Sequence, residues 1–405
     1  MNHQRERLVS TRQPRIHEGV KPIPESHLTA TGTFEPNGKD GGFLRRAEIN
    51  YLVRPDDPFL SSAVRQRFRL RGGETITATT KPRANRPGGR GAEVVDVATI
   101  NGLSAEDYFA VKPFDELTAI DPHRQMRFET PGGPVSMRVV DLMTPIGFGQ
   151  RGLIVASPRT GKTILLQQIA QGAAANHPDL HVLMLLIDER PEEVTEMRRT
   201  VPAEVAASSS DMDLASHIRL ARLVIQKAQR LVECGRDVLV LLDSLTRLGR
   251  SFNSATRGAG RTLSGGLDIR ALTEPKAMFG AARKAEGGGS LTIMASALIN
   301  TGSRMDEVIF NEFKGTGNME IMLSRELANR RVWPAIELDS SGTRKEERLL
   351  SPEALEVASG LRRSLAGGSP ERAMTSLLES LGRFPDNATF VASARKQSWG
   401  RSTIR

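Results

Sequence analysis

The chain has 405 residues, of which 39% are apolar and 25% charged, an ordinary balance for a soluble protein with room for a large core and a smaller module. No apolar stretch approaches membrane-spanning length, the opening MNHQRERLVSTRQPR lacks the apolar centre of a secretory signal, and a lone Cys234 excludes an internal disulfide, so a cytoplasmic protein that does not span a membrane is expected. A formal charge of +9 and a sequence pI near 10.0 favour polyanionic partners, without separating nucleic acid from an anionic membrane surface.

In chain order, residues 1–27 mix Arg, Pro and His without an apolar period and read as a disordered basic arm. Residues 28–100 then carry short apolar runs broken by turn residues (TGTFEP, GGFLRR, YLVRP, ETITATT, AEVVDVATI), the pattern of a small β-rich module. Within it, KPRANRPGGRG sets Lys81, Arg83, Arg86 and Arg90 among Pro and Gly with no acid; a solvated hairpin loop and a phosphate-contacting loop fit it equally. Residues 101–140 read as a connector with a Pro-Gly-Gly turn at 131–133. From 141 to 405 the texture is that of an α/β domain ending in helices. Continuous apolar runs begin at Gly152, Val182, Val238 and Leu291, separated by long amphipathic stretches, which indicates parallel strands buried on both faces. Runs from Glu320 and from Ala335 are expected to add further strands.

The strongest chemical signal is ASPRTGKT, from Ala156, set between the first buried run and an amphipathic helix. Gly161 lets the backbone turn around phosphate oxygens, successive N–H groups and the helix N-terminus face the anion, Lys162 adds a point charge, and Thr163 offers a hydroxyl to Mg²⁺. Ala156 occupies the place of the usual first glycine. An ATP hydrolase also needs one carboxylate beside the metal and another to activate water. LLIDER offers Asp188 and Glu189, and VLLDS offers Asp243; spacing alone leaves their roles open, since acids at strand ends also cap helices. From Ser244 to Leu267 there is no acid, while Arg247, Arg250, Arg257 and Arg261 occur among glycines, so this stretch reads as a long basic functional loop. A second short loop, NTGSRMDE, carries Arg304 at the end of another strand.

Together ASPRTGKT, LIDERPEEVTEMRR, LLDSLTRLGRSFN, GRTLSGG, FKGTGNMEIMLSR and SGTRKEE resemble the transcription termination factor Rho family, densely after Met143 and thinly before it. The resemblance implies a RecA-like P-loop ATPase domain with a parallel sheet, preceded by a small β-rich OB-like (cold-shock-like) RNA-binding domain. It further implies an RNA-dependent ATPase and 5′-to-3′ RNA translocase or helicase, using ATP and Mg²⁺ as a homohexamer. Such a ring terminates transcription by binding nascent single-stranded RNA and releasing it from the RNA polymerase elongation complex. The residues implied as catalytic are Lys162, Glu189 (activating water), Asp243 (beside Mg²⁺, with Thr163) and Arg344 (a finger supplied across the subunit interface). ATP contacts are implied for Gly147, Phe148, Gly149, Gln150, Arg151 and Gly152, for Arg159, Thr160, Gly161, Lys162, Thr163 and Ile164, for Arg190, and for Trp333 against adenine. Arg261, Thr262, Gly265 and Gly266 match one central RNA loop and Arg304 the other, with Arg where the family carries Lys. Phe43, Arg45, Asp57 and Phe59 match the primary RNA site, from which aromatics are missing at Gly41, Gly91 and Ala92. Two rival readings remain on the same motifs: a rotary or secretion-type ATPase subunit, and an RNA-binding ring that is not a motor.

Overall fold

A computed structural model describes residues 28–83, 91–256 and 266–402. The basic arm expected at 1–27 lies outside the described residues, as do Arg86 and Arg90 of the basic hairpin and Arg257, Arg261, Thr262 and Gly265.

The N-terminal module is a closed barrel of β1 (Leu28–Pro36), β2 (Gly41–Arg45), β3 (Phe59–Ser61), β4 (Thr75–Pro82) and β5 (Ala92–Ile100), joined in the order β1-β2-β3-β5-β4. Alternation along β4, where Ile76 and Ala78 are buried between half-exposed threonines, fills the interior with Phe34, Leu44, Leu60, Val94 and Ile100. The run YLVRP is not a strand. Asn50 and Tyr51 adopt left-handed backbone (φ 61° and 56°), which breaks the extended conformation. The chain thereby leaves the barrel and inserts the Tyr51 ring into the core of the following domain.

That domain is built on β6 (Arg151–Ala156), β7 (His181–Glu189), β8 (Glu204–Ser209), β9 (Asp237–Asp243), β10 (Ser290–Leu298), β11 (Met319–Leu323) and β12 (Gly342–Thr343). Their order is β8-β7-β9-β10-β6-β11-β12, parallel except for the antiparallel β12. Continuous apolar runs serve both faces by alternation: Leu153 and Val155 of β6 enter one core cluster, Ile154 and Ala156 the other. The helices that cover the sheet include α1 (Val135–Met143), α2 (Lys162–Asn176), α3 (Pro191–Thr200), α4 (Leu214–Glu233), α5 (Leu245–Thr256) and α6 (Arg304–Lys314), followed by α7 (Pro352–Leu365), α8 (Pro370–Gly382) and α9 (Asn387–Ser402).

Three further departures from the sequence expectations have local causes. The run from Ala335 forms only a single bridge, Leu323↔Ile336, because Pro334 precedes it and a turn follows at once. The acid-free stretch after Ser244 begins as α5, not as a loop: Leu245, Leu248 and Phe252 form its buried stripe at helical spacing. The expected connector is woven into the ATPase core through Phe114, Met126 and Phe128, and α1 runs across the boundary expected at 140.

The barrel is fastened to the sheet edge. The Asn50 side-chain oxygen accepts the Ala207 N–H of β8 at 2.7 Å, and Arg219 of α4 donates to Glu35 at 2.9 Å and to the Tyr51 carbonyl at 2.7 Å. Glu204 of β8 accepts the Lys227 ammonium at 2.6 Å and the Tyr51 hydroxyl, so an edge strand of small residues is covered and anchored by charge.

Candidate active site and nucleic-acid surfaces

The loop from Ala156 connects the C-terminal end of β6 to α2, where amide N–H groups point outward. Gly161 has φ +83°, and a Cβ there would lie 2.7 Å from the Trp333 ring, so both backbone and space demand glycine. Arg159 is exposed at φ 63°, Thr160 is tied back to the Ser157 carbonyl at 2.7 Å, and Thr163 is half-buried in the first turn of α2. On the flank of the loop lies an apolar cavity of about 530 Å³, lined by Thr160, Gly161, Ile164, Leu323 and Trp333 among others.

Lys162 stands between two buried carboxylates. Its ammonium donates to Asp243 Oδ1 and lies 3.5 Å from Glu189 Oε1, while Ser296 Oγ donates to the same Asp243 oxygen at 2.7 Å. Burial first, and then the neighbouring Asp243 carboxylate, push the Glu189 carboxyl up to about 7; Lys162 and Arg247 act in the opposite direction. The structure also distinguishes the two acids of LLIDER. A register shift between Ile187 and Glu189, with Asp188 at φ 57°, turns Glu189 inward to 2% exposure beside Lys162 and leaves Asp188 half-buried. Arg190, the N-cap of α3, is exposed next to it.

Composition groups Arg247 with a long basic functional loop, but it lies beside the two acids of LLIDER: its guanidinium is 3.0 Å from Glu189 Oε2 and donates to the Asp188 carbonyl. One turn on, Arg250 donates to Asp306 Oδ1 at 2.7 Å, an acid that also accepts the Thr301 hydroxyl at 2.6 Å. Both arginines therefore tie α5 to its surroundings. Asn253, the last residue of LLDSLTRLGRSFN, ties the end of α5 to the far side of the following stretch by donating to the Gly266 carbonyl at 3.1 Å and accepting the Asp268 N–H at 2.9 Å. Arg304 is exposed at the start of α6. The stretch that follows α5 and the one that carries Arg304 thus spring from two helices, α5 and α6, which the Arg250–Asp306 pair joins.

A correction concerns Gly147, Phe148, Gly149, Gln150, Arg151 and Gly152. They enter β6 at its N-terminal end, whereas the P-loop leaves its C-terminal end; the six residues of β6 separate the two by about 17 Å. These residues cannot touch phosphates held by their own P-loop. Phe148 is instead buried against His177 and under Arg124. Arg344 lies at that same far edge, since it follows β12, which pairs with the start of β11.

On the barrel, Phe43 and Phe59 form an edge-to-face pair with centroids 5.5 Å apart. Arg83 covers Phe59 at 4.0 Å and Arg45 lies 4.8 Å from the Phe43 centroid. Arg45 and Asp57, expected to touch RNA, are buried beneath this pair, bonded to each other at 2.5 Å and, through Arg45, to Glu35. Gly41 cannot accept the aromatic expected of the family: at φ +116° its Cβ would sit 2.1 Å from the Leu60 carbonyl.

Comparison with known proteins places two family models on the chain: the ATP synthase alpha/beta family, nucleotide-binding domain, over residues 136–343, and the Rho termination factor, RNA-binding domain, over residues 30–106. The chain is 48% identical over 370 residues to a transcription termination factor Rho of Rhodopirellula baltica, covering 90% of this chain and 72% of that one. It is 51% identical over 351 residues to that of Streptomyces coelicolor, covering 87% and 82%. Among solved structures, a prototypical ATPase from the type III secretion system of pathogenic bacteria is similar at TM-score 0.56 and 24% identity, covering 70% of this chain and 80% of that one. An ATP synthase subunit from Nanoarcheaum equitans is similar at TM-score 0.55 and 19% identity, covering 64% and 66%; both likenesses concern the fold alone.

Proposed function

The chain belongs to the transcription termination factor Rho family, and from that premise we propose that it is an ATP-driven motor which binds nascent single-stranded RNA and releases it from the RNA polymerase elongation complex, working in the cytoplasm as a homohexameric ring. The observation that carries this reading is α5, whose first turn places Arg247 on Glu189 and whose later turns hold the roots of both central loops through Arg250 and Asn253. A change at the hydrolytic site therefore has a short, rigid route to the loops carrying Arg261, Thr262, Gly265, Gly266 and Arg304, which we assign to RNA in the pore.

At the ATP site, Lys162 and the N–H groups of the loop bind the phosphates, with Arg159, Thr160 and Arg190 at the margin. Trp333 and Ile164 hold the adenine in the apolar cavity. The donor set Thr163 hydroxyl and Asp243 carboxylate fits Mg²⁺, which needs few protein oxygens because phosphates and water complete its shell; when bound, it neutralises charge on the transferred phosphoryl group. Glu189, with a carboxyl near neutrality, is poised to accept a proton from the attacking water. Arg344 is too far from its own P-loop to serve it, which supports a role at the neighbouring subunit's phosphates. On the barrel, Phe43 and Phe59 offer a base-stacking platform, Arg83 meets the backbone, and the buried Arg45–Asp57 pair positions the rings from below.

The secretion and rotary ATPases share the nucleotide-binding fold, but the RNA-binding domain and its aromatic pair favour RNA as the track. ATP hydrolysis measured without RNA, and with poly(C), poly(U) or duplex RNA, tests the reading. Stimulation by single strands is expected. No stimulation by any RNA would favour a rotary or secretion-type subunit, and stimulation without displacement of a paired strand would favour an RNA-binding ring that is not a motor.

A further inference from the structure

The segment Gly147, Phe148, Gly149, Gln150, Arg151 and Gly152 is displaced from the nucleotide, yet it is closely built. Gln150 is 1% exposed, and its side-chain N–H donates to Asn318 Oδ1 at 2.7 Å and to the Asn318 carbonyl at 3.2 Å. Asn318 Oδ1 also accepts the Arg151 N–H at 2.9 Å. The Asn318 carbonyl in turn accepts the Arg344 N–H at 2.9 Å, and the preceding Thr343 hydroxyl donates to the Pro145 carbonyl at 2.7 Å. On the other side, Lys345 adopts φ 58° and its ammonium donates to Asp121 at 2.7 Å. The backbone of Arg344 is thus fixed before and after, while its side chain is exposed.

We infer that Asn318, clamped by Gln150 and the Arg151 N–H, is the positioning residue of the Arg344 finger. The inference rests on the reading of Arg344 as a trans-acting finger. The clamp fixes the root of the finger to the N-terminal ends of β6 and β11, and β6 carries this subunit's own P-loop at its other end. A finger contributes only if its charge arrives where charge develops in the transition state, and a misplacement of about 1 Å can cost on the order of 100-fold in rate. Asn318 therefore matters for turnover and not for nucleotide binding, since it is remote from the phosphates of its own subunit.

The chemistry of the clamp supplies its own control. Both groups that meet Asn318 Oδ1 are N–H donors, so an Asp at this position keeps the acceptor, whereas Leu has the same size and removes it. In full-length rings saturated with poly(C), Asn318→Leu is expected to lower kcat about 10-fold or more and to leave ATP affinity within about 2-fold, while Asn318→Asp keeps at least about half of wild-type turnover. Because Asn318 acts through Arg344, the double variant Asn318→Leu/Arg344→Ala is expected to be no slower than Arg344→Ala alone. Wild-type kcat in Asn318→Leu, or a double variant slower than Arg344→Ala by the full factor of the single change, overturns the inference. Arg344→Ala with wild-type turnover overturns the finger reading instead, which the same experiment reports separately. Should Asn318→Leu fail to assemble, Gln150→Met, which removes the donor and retains the length, carries the same comparison.

Discussion

Replacing Trp333 with Ala removes the largest apolar wall of the cavity beside the P-loop. The side chain is 42% exposed, which leaves about 100 Å² of ring surface for a base to cover. At about 25 cal/mol per Å² this contributes about 2.5 kcal/mol at most, and base stacking on an aromatic ranges over about 1–3 kcal/mol, so ATP should bind about 5- to 70-fold more weakly. Trp333→Phe should restore most of the affinity. The chain has two tryptophans, so in a Trp399→Phe background Trp333 is the single fluorescent reporter, and its quenching by ATP titrates the site. Inorganic tripolyphosphate, which needs only the loop and Lys162, should compete equally well against both proteins. An ATP affinity unchanged within about 2-fold, or an equal loss of tripolyphosphate binding, refutes the placement of adenine against Trp333.

Glu189→Gln should retain ATP binding and lose turnover on the order of 100-fold or more, whereas Lys162→Ala should lose both; nucleotide titration beside steady-state hydrolysis separates them, and normal turnover in Glu189→Gln sinks the assignment. On the barrel, Phe59→Ala should weaken oligo(C) binding by about 1–3 kcal/mol at every salt concentration, while Arg83→Ala should flatten the salt dependence by about one phosphate contact; the reverse pattern would mean that charge, not stacking, holds the RNA. Burial raises the Glu204 carboxyl, but hydrogen bonds from His181, Lys227 and Tyr51 and the Lys227 charge outweigh it and hold the group down to about 2. Glu204→Gln should therefore cost on the order of 3 kcal/mol at pH 7, a difference fully present above the ordinary value near 4.5 and lost as pH falls towards 2; a gap in urea unfolding that is independent of pH would show that packing alone is at stake.

The parallel core is legible in the sequence because strands buried on both faces must be apolar throughout, as at Val182, Val238 and Leu291. β8 is not, because Glu204–Ser209 is short and rich in small residues and is stabilised by Asn50 and Tyr51 from far away in the chain. At the site, the phosphate loop announces itself, since only glycine tolerates the turn at Gly161. The choice between Asp188 and Glu189 depends on one left-handed residue and a shift of register, which no spacing rule contains. Arg247 is misplaced by composition because an absence of acids suggests a loop, while the helical stripe of Leu245, Leu248 and Phe252 beneath it decides the geometry. The resemblance assigns Gly147 and Gly152 to the nucleotide by motif alone; strand direction puts them at the opposite end of β6, near the root of Arg344.

We propose that hydrolysis at Lys162, Glu189 and Asp243 pulls RNA out of a transcribing polymerase. It is tested most directly on stalled elongation complexes carrying labelled RNA with a free single-stranded 5′ segment, incubated with the purified ring and either ATP or a non-hydrolysable analogue. Release of RNA with ATP, none with the analogue and none from Glu189→Gln rings is the predicted result. Intact complexes in the presence of vigorous RNA-stimulated hydrolysis would contradict the account.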